Sequence, residues 1–258
     1  ACSYSGNTEE TIEACLKCMN RTPKIIGLST GGKLYEHLKK QKKDFIKLPI
    51  GLQPRAAIGY SFSLMLLLLN EIGVLEQGAK ILNKNLTHSI NPLIDCMEKY
   101  SVPDKNNPAY DLATKIYNKN PIIYAEDGIF NTIAYRFKCQ LAENSKILAF
   151  NNSIPEMNHN EIEAFTNQVN KNCNFVIIWI RQTSMSPAYK KRINIVNKIF
   201  ENKKIEQYDL IIKSKNENKV EECLTAINLV DWISYHCAIL NKVDPSIIPN
   251  INELKKSL

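Results

Sequence analysis

The sequence predicts an α/β protein of two lobes, each a parallel sheet flanked by helices in three layers. Two observations carry this. Ile122-Ile123-Tyr124-Ala125 and Phe175-Val176-Ile177-Ile178-Trp179-Ile180 are apolar at nearly every position, the pattern of strands buried on both faces, and segments of helical period separate the strand candidates. Between Asn83 and Asn120 the character changes: polar runs are broken by Pro92, Pro103 and Pro108, and the stretch reads as a connection with short helices. The expected division is a first lobe over 1–84, a helical connection over 85–120, a second lobe over 121–241 and a helical tail over 242–258.

In chain order, Thr8–Asn20 carries apolar residues at Ile12, Cys15, Leu16 and Met19, a helical stripe. Lys24–Leu28 reads as a strand, Ser29-Thr30-Gly31-Gly32 as a turn, Lys33–Gln41 as a helix and Phe45–Pro49 as a short strand. Pro54 suits a helix start. The pattern from Arg55 to Ile72 is apolar on most sides, so that helix is expected to be buried. In the second lobe the expected order is strand Ile122–Ala125, helix Asn131–Asn144, strand Lys146–Phe150, a helix starting near His159 and strand Phe175–Ile180. Helix Tyr189–Asn202, strand Tyr208–Lys213 and helix Val220–Leu240 follow. Ligands of such sheets sit beyond the carboxyl ends of strands, where Ser3, Ser29 and Asn151 are expected to fall.

Composition excludes several classes of function. With 258 residues, 44% apolar and 23% charged, the chain is long enough for a sizeable core. Its net charge of +7 comes from lysines scattered among asparagines and isoleucines, with no basic stripe, which argues against a nucleic-acid partner while favouring an anionic substrate. The apolar run Leu64–Leu69 is far short of a membrane span of about 20 residues, and no export leader is evident. The eight cysteines are irregularly spaced, which suits free thiols in a reducing cytoplasm. Cys15-Leu16-Lys17-Cys18 lies mid-helix with no second pair at zinc spacing, so neither a metal nor a redox cofactor is expected.

The most informative segment is Cys2-Ser3-Tyr4-Ser5-Gly6-Asn7-Thr8-Glu9-Glu10-Thr11. Ser3, Ser5 and Thr8 supply hydroxyls, Gly6 permits a tight turn, and the helix that follows has unpaired amides at its start. Together they read as a phosphate cradle. A plain helix cap at Asn7 or Thr8 is the simpler alternative.

Read with Pro54-Arg55-Ala56-Ala57-Ile58-Gly59-Tyr60, Gln140–Lys146, Pro155–Glu161 and Val243-Asp244-Pro245-Ser246 leading to Glu253-Leu254-Lys255, the segment resembles the bifunctional phosphoglucose/phosphomannose isomerase family. That family has sugar isomerase (SIS) domains, and the match runs in order over nearly the whole chain. The resemblance implies two SIS lobes and a hexose 6-phosphate substrate interconverted between glucose or mannose 6-phosphate and fructose 6-phosphate. In that family a strand and a Gly-Gly-Ser turn precede the SYSGNTEET segment. The first lobe is therefore expected to lack its opening strand, and the chain reads as a fragment or a truncated relative.

The resemblance also implies roles. An aldose–ketose interconversion needs a carboxylate alongside C1 and C2 and a group that stabilises an enediolate. Glu143 corresponds to the proton shuttle, although alone it reads as a solvated helix-end residue. His159 corresponds to a ring-opening group reaching the neighbouring subunit's site, which implies a homodimer; alone it reads as a surface histidine. Arg55 corresponds to the electrostatic partner of the oxyanion. Lys255 corresponds to a lysine that assists ring opening, with Lys256 an alternative register. Ser3, Ser5, Thr8 and Ser29 would hold the phosphate, and Ser246, where the family often carries threonine, would leave room at C2 for both epimers. Two alternatives remain open: a sugar-phosphate-binding protein without catalysis, and a fragment of a glutamine-dependent glucosamine phosphate synthase.

Overall fold

The computed structural model describes residues 1–75, 78–166, 174–213 and 218–257, apart from the side chain of Lys256. It divides into two compact units, Ala1–Lys84 and Asn85–Leu258.

In the first unit, helix α1 (Glu9–Met19) leads to strand β1 (Ile26–Ser29), helix α2 (Gly32–Lys40) and strand β2 (Asp44–Lys47). β1 and β2 pair in parallel with Leu28 opposite Ile46. On the other side of β1, Cys2 bridges Leu28: the Ser3 amide donates to Leu28 O and the Leu28 amide to Ala1 O. A small core of Cys15, Leu34 and Leu38 joins the helices, with Ile12, Met19, Ile25 and Phe45 packed on it. After a 3₁₀ turn at Pro54–Ala57 comes helix α3 (Ile58–Glu71). The apolarity of this helix predicts burial, yet none of its residues is buried. Apolar composition shows that a helix can be covered; it does not show what covers it.

Helix α4 (Ala79–Ser101) runs unbroken through Pro92, correcting the expectation of short interrupted pieces. Helix α5 (Pro108–Ile116) follows. The stretch 85–120 is more than a connection, because Ala109, Leu112, Ala113 and Ile116 lie in the main core of the second unit. Asn107 accounts for the entry to α5. Its side-chain oxygen accepts from the amides of Ala109 and Tyr110, while its Nδ2 donates to Tyr100 O and Val102 O.

Strand β3 (Asn120–Glu126), helix α6 (Ile129–Gln140), strand β4 (Phe150–Ile154), the short helix α7 (Glu161–Ala164) and strand β5 (Phe175–Gln182) come next. Helix α8 (Pro187–Asn202), strand β6 (Gln207–Ile212) and helix α9 (Lys219–Leu240) complete the sheet unit, and helix α10 (Pro249–Ser257) ends the chain. The sheet order is β4-β3-β5-β6, all parallel. Alternate residues face opposite cores, the two-residue period of a strand. Ile123, Ala125, Val176, Ile178 and Ile180 pack on one face with α5, α6 and α9, and Ile122, Tyr124, Ile177 and Trp179 on the other with α8. α9 is long and apolar enough to cross a membrane by length and composition; here it is the central core helix of this face.

Two boundaries differ from expectation near the candidate base. α6 ends at Gln140 and passes into a single π-helical turn, Leu141–Ser145. The strand expected at Lys146–Phe150 begins only at Phe150, opposite Ile122. Ile147 and Ala149 are buried in the core, which explains the apolar signal, but they precede the ladder. Asn151 consequently lies inside the ladder opposite Ile123, not beyond a strand end.

Candidate active site

The N-terminal loop of the first unit is a knot of hydroxyls and amides. Ser3 Oγ and Thr8 Oγ1 are 2.8 Å apart, the Gly6 amide donates to Ser3 Oγ at 3.2 Å, and the Asn7 amide donates to Ser5 Oγ at 3.2 Å. Thr8 is the N-cap of α1, yet its side chain caps nothing, because its hydroxyl is turned to Ser3. The plain-cap alternative therefore fails, and the first turn of α1 keeps the amide-rich start that attracts anions. Ser29 is fully buried at the carboxyl end of β1, accepting from the Gly31 amide and donating to Gly31 O at 2.6 Å.

Two glycines make this approach possible. Gly6 sits at φ +70°, and a Cβ there would stand 1.9 Å from Gly31 O; Gly32, at φ +71°, would put one 2.5 Å from Ser5 O. The loop in turn closes the start of α2, since the Lys33 amide donates to Asn7 Oδ1 and the Leu34 amide to Gly6 O. Tyr4 ties in the next segment: its hydroxyl donates to Pro49 O at 2.9 Å and accepts from the Leu52 amide at 3.1 Å. Arg55 follows three residues later in the 3₁₀ turn, half-buried. Ser3, Ser5, Thr8 and Ser29 thus form one cluster, with the Arg55 segment anchored to it by Tyr4. The role of Tyr4 has no local sequence signal.

In the second unit Glu143 lies on the π-helical turn, half-buried. A polar network bolts this turn to α9. Arg136 Nη2 donates to Asp231 Oδ2 at 2.6 Å and its Nε to Oδ1 at 3.1 Å, while Gln140 Nε2 donates to Oδ1 at 2.7 Å. Asn144 Nδ2 donates to Ser234 Oγ, Ser145 Oγ to Ser234 O, and Asn241 Nδ2 to Ser145 O. Burial pushes the Asp231 carboxyl above the ordinary aspartate range, and Arg136 pulls it part of the way back. The Lys146 ammonium joins the turn to the segment that carries Ser246, donating to Glu143 O and to Ile247 O at 2.7 Å each, and to Asp244 O at 3.2 Å. Ser246 Oγ donates to Asp244 Oδ1 at 2.6 Å, which with the Ser246 amide holds the exposed Asp244 carboxyl below its ordinary value.

Topology separates Glu143 from His159. α6 starts at the carboxyl end of β3 and returns along the sheet, so Glu143 and Ser246 lie at its amino end. His159 ends the 3₁₀ turn Glu156–His159, just past the carboxyl end of β4. The five residues of β4 alone put about 17 Å between the two, at ~3.3 Å per residue. His159 is exposed and its imidazole bonds to no described residue, so within one chain these two groups do not meet. Lys255 lies exposed on α10, and Lys256 falls outside the described side chains.

Among the described residues, no group of three or more His, Cys, Asp or Glu side chains is placed to hold a metal ion. Cys2, Cys15, Cys18, Cys96, Cys139, Cys223 and Cys237 are unpaired thiols.

The model of the bacterial phospho-glucose isomerase C-terminal SIS domain matches residues 105–258. The bifunctional phosphoglucose/phosphomannose isomerase of Caldicellulosiruptor bescii is 36% identical over 260 residues, covering all of this chain and 75% of the relative. This chain belongs to that family. Its counterpart in Thermoplasma acidophilum is 31% identical over 263 residues, with the same coverage of 100% and 75%. Among solved structures, a glucose-6-phosphate isomerase like protein from Thermus thermophilus shares the fold at a TM-score of 0.60 and 16% identity, over 90% of this chain and 77% of that one. By family the chain is an enzyme of the sugar-phosphate isomerase class, an intramolecular oxidoreductase.

Proposed function

We propose that this chain interconverts fructose 6-phosphate with glucose 6-phosphate and mannose 6-phosphate by moving a proton between C1 and C2 through an enediolate. The observation that carries the reading is the setting of Glu143, a carboxylate on a short turn held by Asn144, Ser145 and Lys146 to two other segments. A base that must reach one carbon and then its neighbour gains from such fixation, because misplacement of about 1 Å can cost a hundredfold in rate.

In this reading Ser3, Ser5, Thr8 and Ser29 take the phosphate with the loop amides, and Arg55 stabilises the enediolate oxygen. His159 and Lys255 move protons for ring opening, and Ser246 leaves space for either configuration at C2. Electrons stay within the substrate, so neither metal nor redox cofactor is required. The topological separation of Glu143 from His159 supports a homodimer in which each chain lends its histidine to the other. A reducing cytoplasm suits the free thiols.

Glu143→Gln should lower kcat for fructose 6-phosphate formation about a thousandfold while hexose 6-phosphate still binds, within the 10²–10⁴ range of a general base. Retained turnover removes Glu143 as the base, and binding without turnover by the unmodified chain supports the non-catalytic alternative instead. A chain that is monomeric and fully active would refute the shared histidine.

A further inference from the structure

Lys146 stands at φ +60°, the left-handed conformation that usually falls to glycine or asparagine at a helix end. Its amide closes the π-helical turn on Leu141 O. A lysine in this position carries a backbone cost that glycine would avoid, as Lys42, Lys204 and Lys242 also do, and here the side chain is engaged on two segments. The ammonium reaches back over the turn to Glu143 O at 2.7 Å and Asn144 O at 3.4 Å, and across to Ile247 O at 2.7 Å and Asp244 O at 3.2 Å. An ammonium has three protons, so two strong bonds go one to each side and the longer contacts share the third. The two sides are about a hundred residues apart in sequence. One carries Glu143; the other carries Ser246, whose own hydroxyl is tied to Asp244.

We propose that Lys146 is a positioning residue that holds the Glu143 turn and the Asp244–Ile247 segment at one spacing. The base and the residue that faces C2 then move as one body. This rests on the isomerase reading of Glu143 and Ser246 and extends it: base placement and epimer tolerance share one cation. The four contacts named are to main-chain carbonyls, and the Asp244 carboxylate also feels the charge of this ammonium.

The test uses Lys146→Gly, which suits the left-handed backbone and removes the ammonium together with its methylene stem, and Lys146→Asn as a second variant tolerant of that conformation that keeps a Cβ. Each is assayed with glucose 6-phosphate and mannose 6-phosphate beside Glu143→Gln, with thermal unfolding of every preparation. The expected result is a fall in kcat of about tenfold with KM within about twofold, a thermal midpoint no lower than the parent's, and a changed ratio of the two sugars. Lys146→Arg, whose guanidinium can still bridge carbonyls, should restore much of the rate. Parental kcat in Lys146→Gly, or a fall that leaves the sugar ratio unchanged, overturns the proposal. If Glu143→Gln is inactive in the same assays, the isomerase reading survives that outcome; if Glu143→Gln is active, the isomerase reading falls first.

Discussion

Arg136→Met tests whether the network behind Glu143 holds as its geometry implies. The substitution keeps an unbranched apolar stem and deletes two charge-assisted bonds to Asp231, at 2.6 and 3.1 Å, leaving Gln140 as the partner seen here. Such bonds contribute about 1.5 kcal/mol each at the low end. The side chains of Arg136 and Asp231 are only 17% and 27% exposed, so solvent screens the pair weakly. A loss of about 3 kcal/mol follows, at the lower edge of the range for breaking a buried pair. The pH dependence has a definite sign. Burial raises the Asp231 pKa in the folded protein, so its protonated form is the one the fold tolerates best. Stability from this group is complete below the ordinary aspartate pKa and is lost as pH rises through the folded value. Without Arg136 the folded value rises further. The deficit should be largest at neutral pH and shrink toward pH ~4 as Asp231 takes up a proton. The chain's two tryptophans, Trp179 and Trp232, both lie in the second unit, so urea unfolding followed by tryptophan fluorescence reports on the unit concerned. A deficit below about 1 kcal/mol at pH 7, or one that grows on acidification, would refute the argument.

Gly6→Ala combines a left-handed φ with a Cβ 1.9 Å from Gly31 O, so the loop must open, at a cost of about 3 kcal/mol. The amides of Lys33 and Leu34, which the loop accepts, should exchange faster, and fructose 6-phosphate should bind at least about tenfold more weakly by calorimetry. Asn107→Ala removes the cap of α5 and the donors to Tyr100 O and Val102 O at a residue 3% exposed, which should cost about 2 kcal/mol by the same fluorescence assay. A loss under about 0.5 kcal/mol would show that water replaces those bonds.

The second sheet was legible because its strands declare themselves one residue at a time. Ile122–Ala125 and Phe175–Ile180 are apolar on both alternations, and the structure uses both faces. The helix expected at Tyr189–Asn202 ends where expected but starts two residues earlier, at Pro187 behind the Ser186 cap. Pro92 misled, because a proline marks a missing donor but does not show that neighbours carry the helix through it. Lys146–Phe150 misled for a related reason: Ile147 and Ala149 are buried without laddering, and apolarity registers burial alone.

The candidate site divides in the same way. The hydroxyls, the glycine and the helix start of Ser3–Thr11 are neighbours in the chain, so their joint chemistry can be read from order alone. Local order could not show that Thr8 turns to Ser3 in preference to capping α1, that Tyr4 spans to Pro49 and Leu52, or that Lys146 reaches Asp244 and Ile247. Nor could it show Glu143 and His159 at opposite ends of β4. Residue type and spacing determined which groups are available and which elements carry them. Their distances from one another were decided by packing, because a hydrogen bond between residues about a hundred positions apart exists only once the sheet and α9 have brought the two segments together.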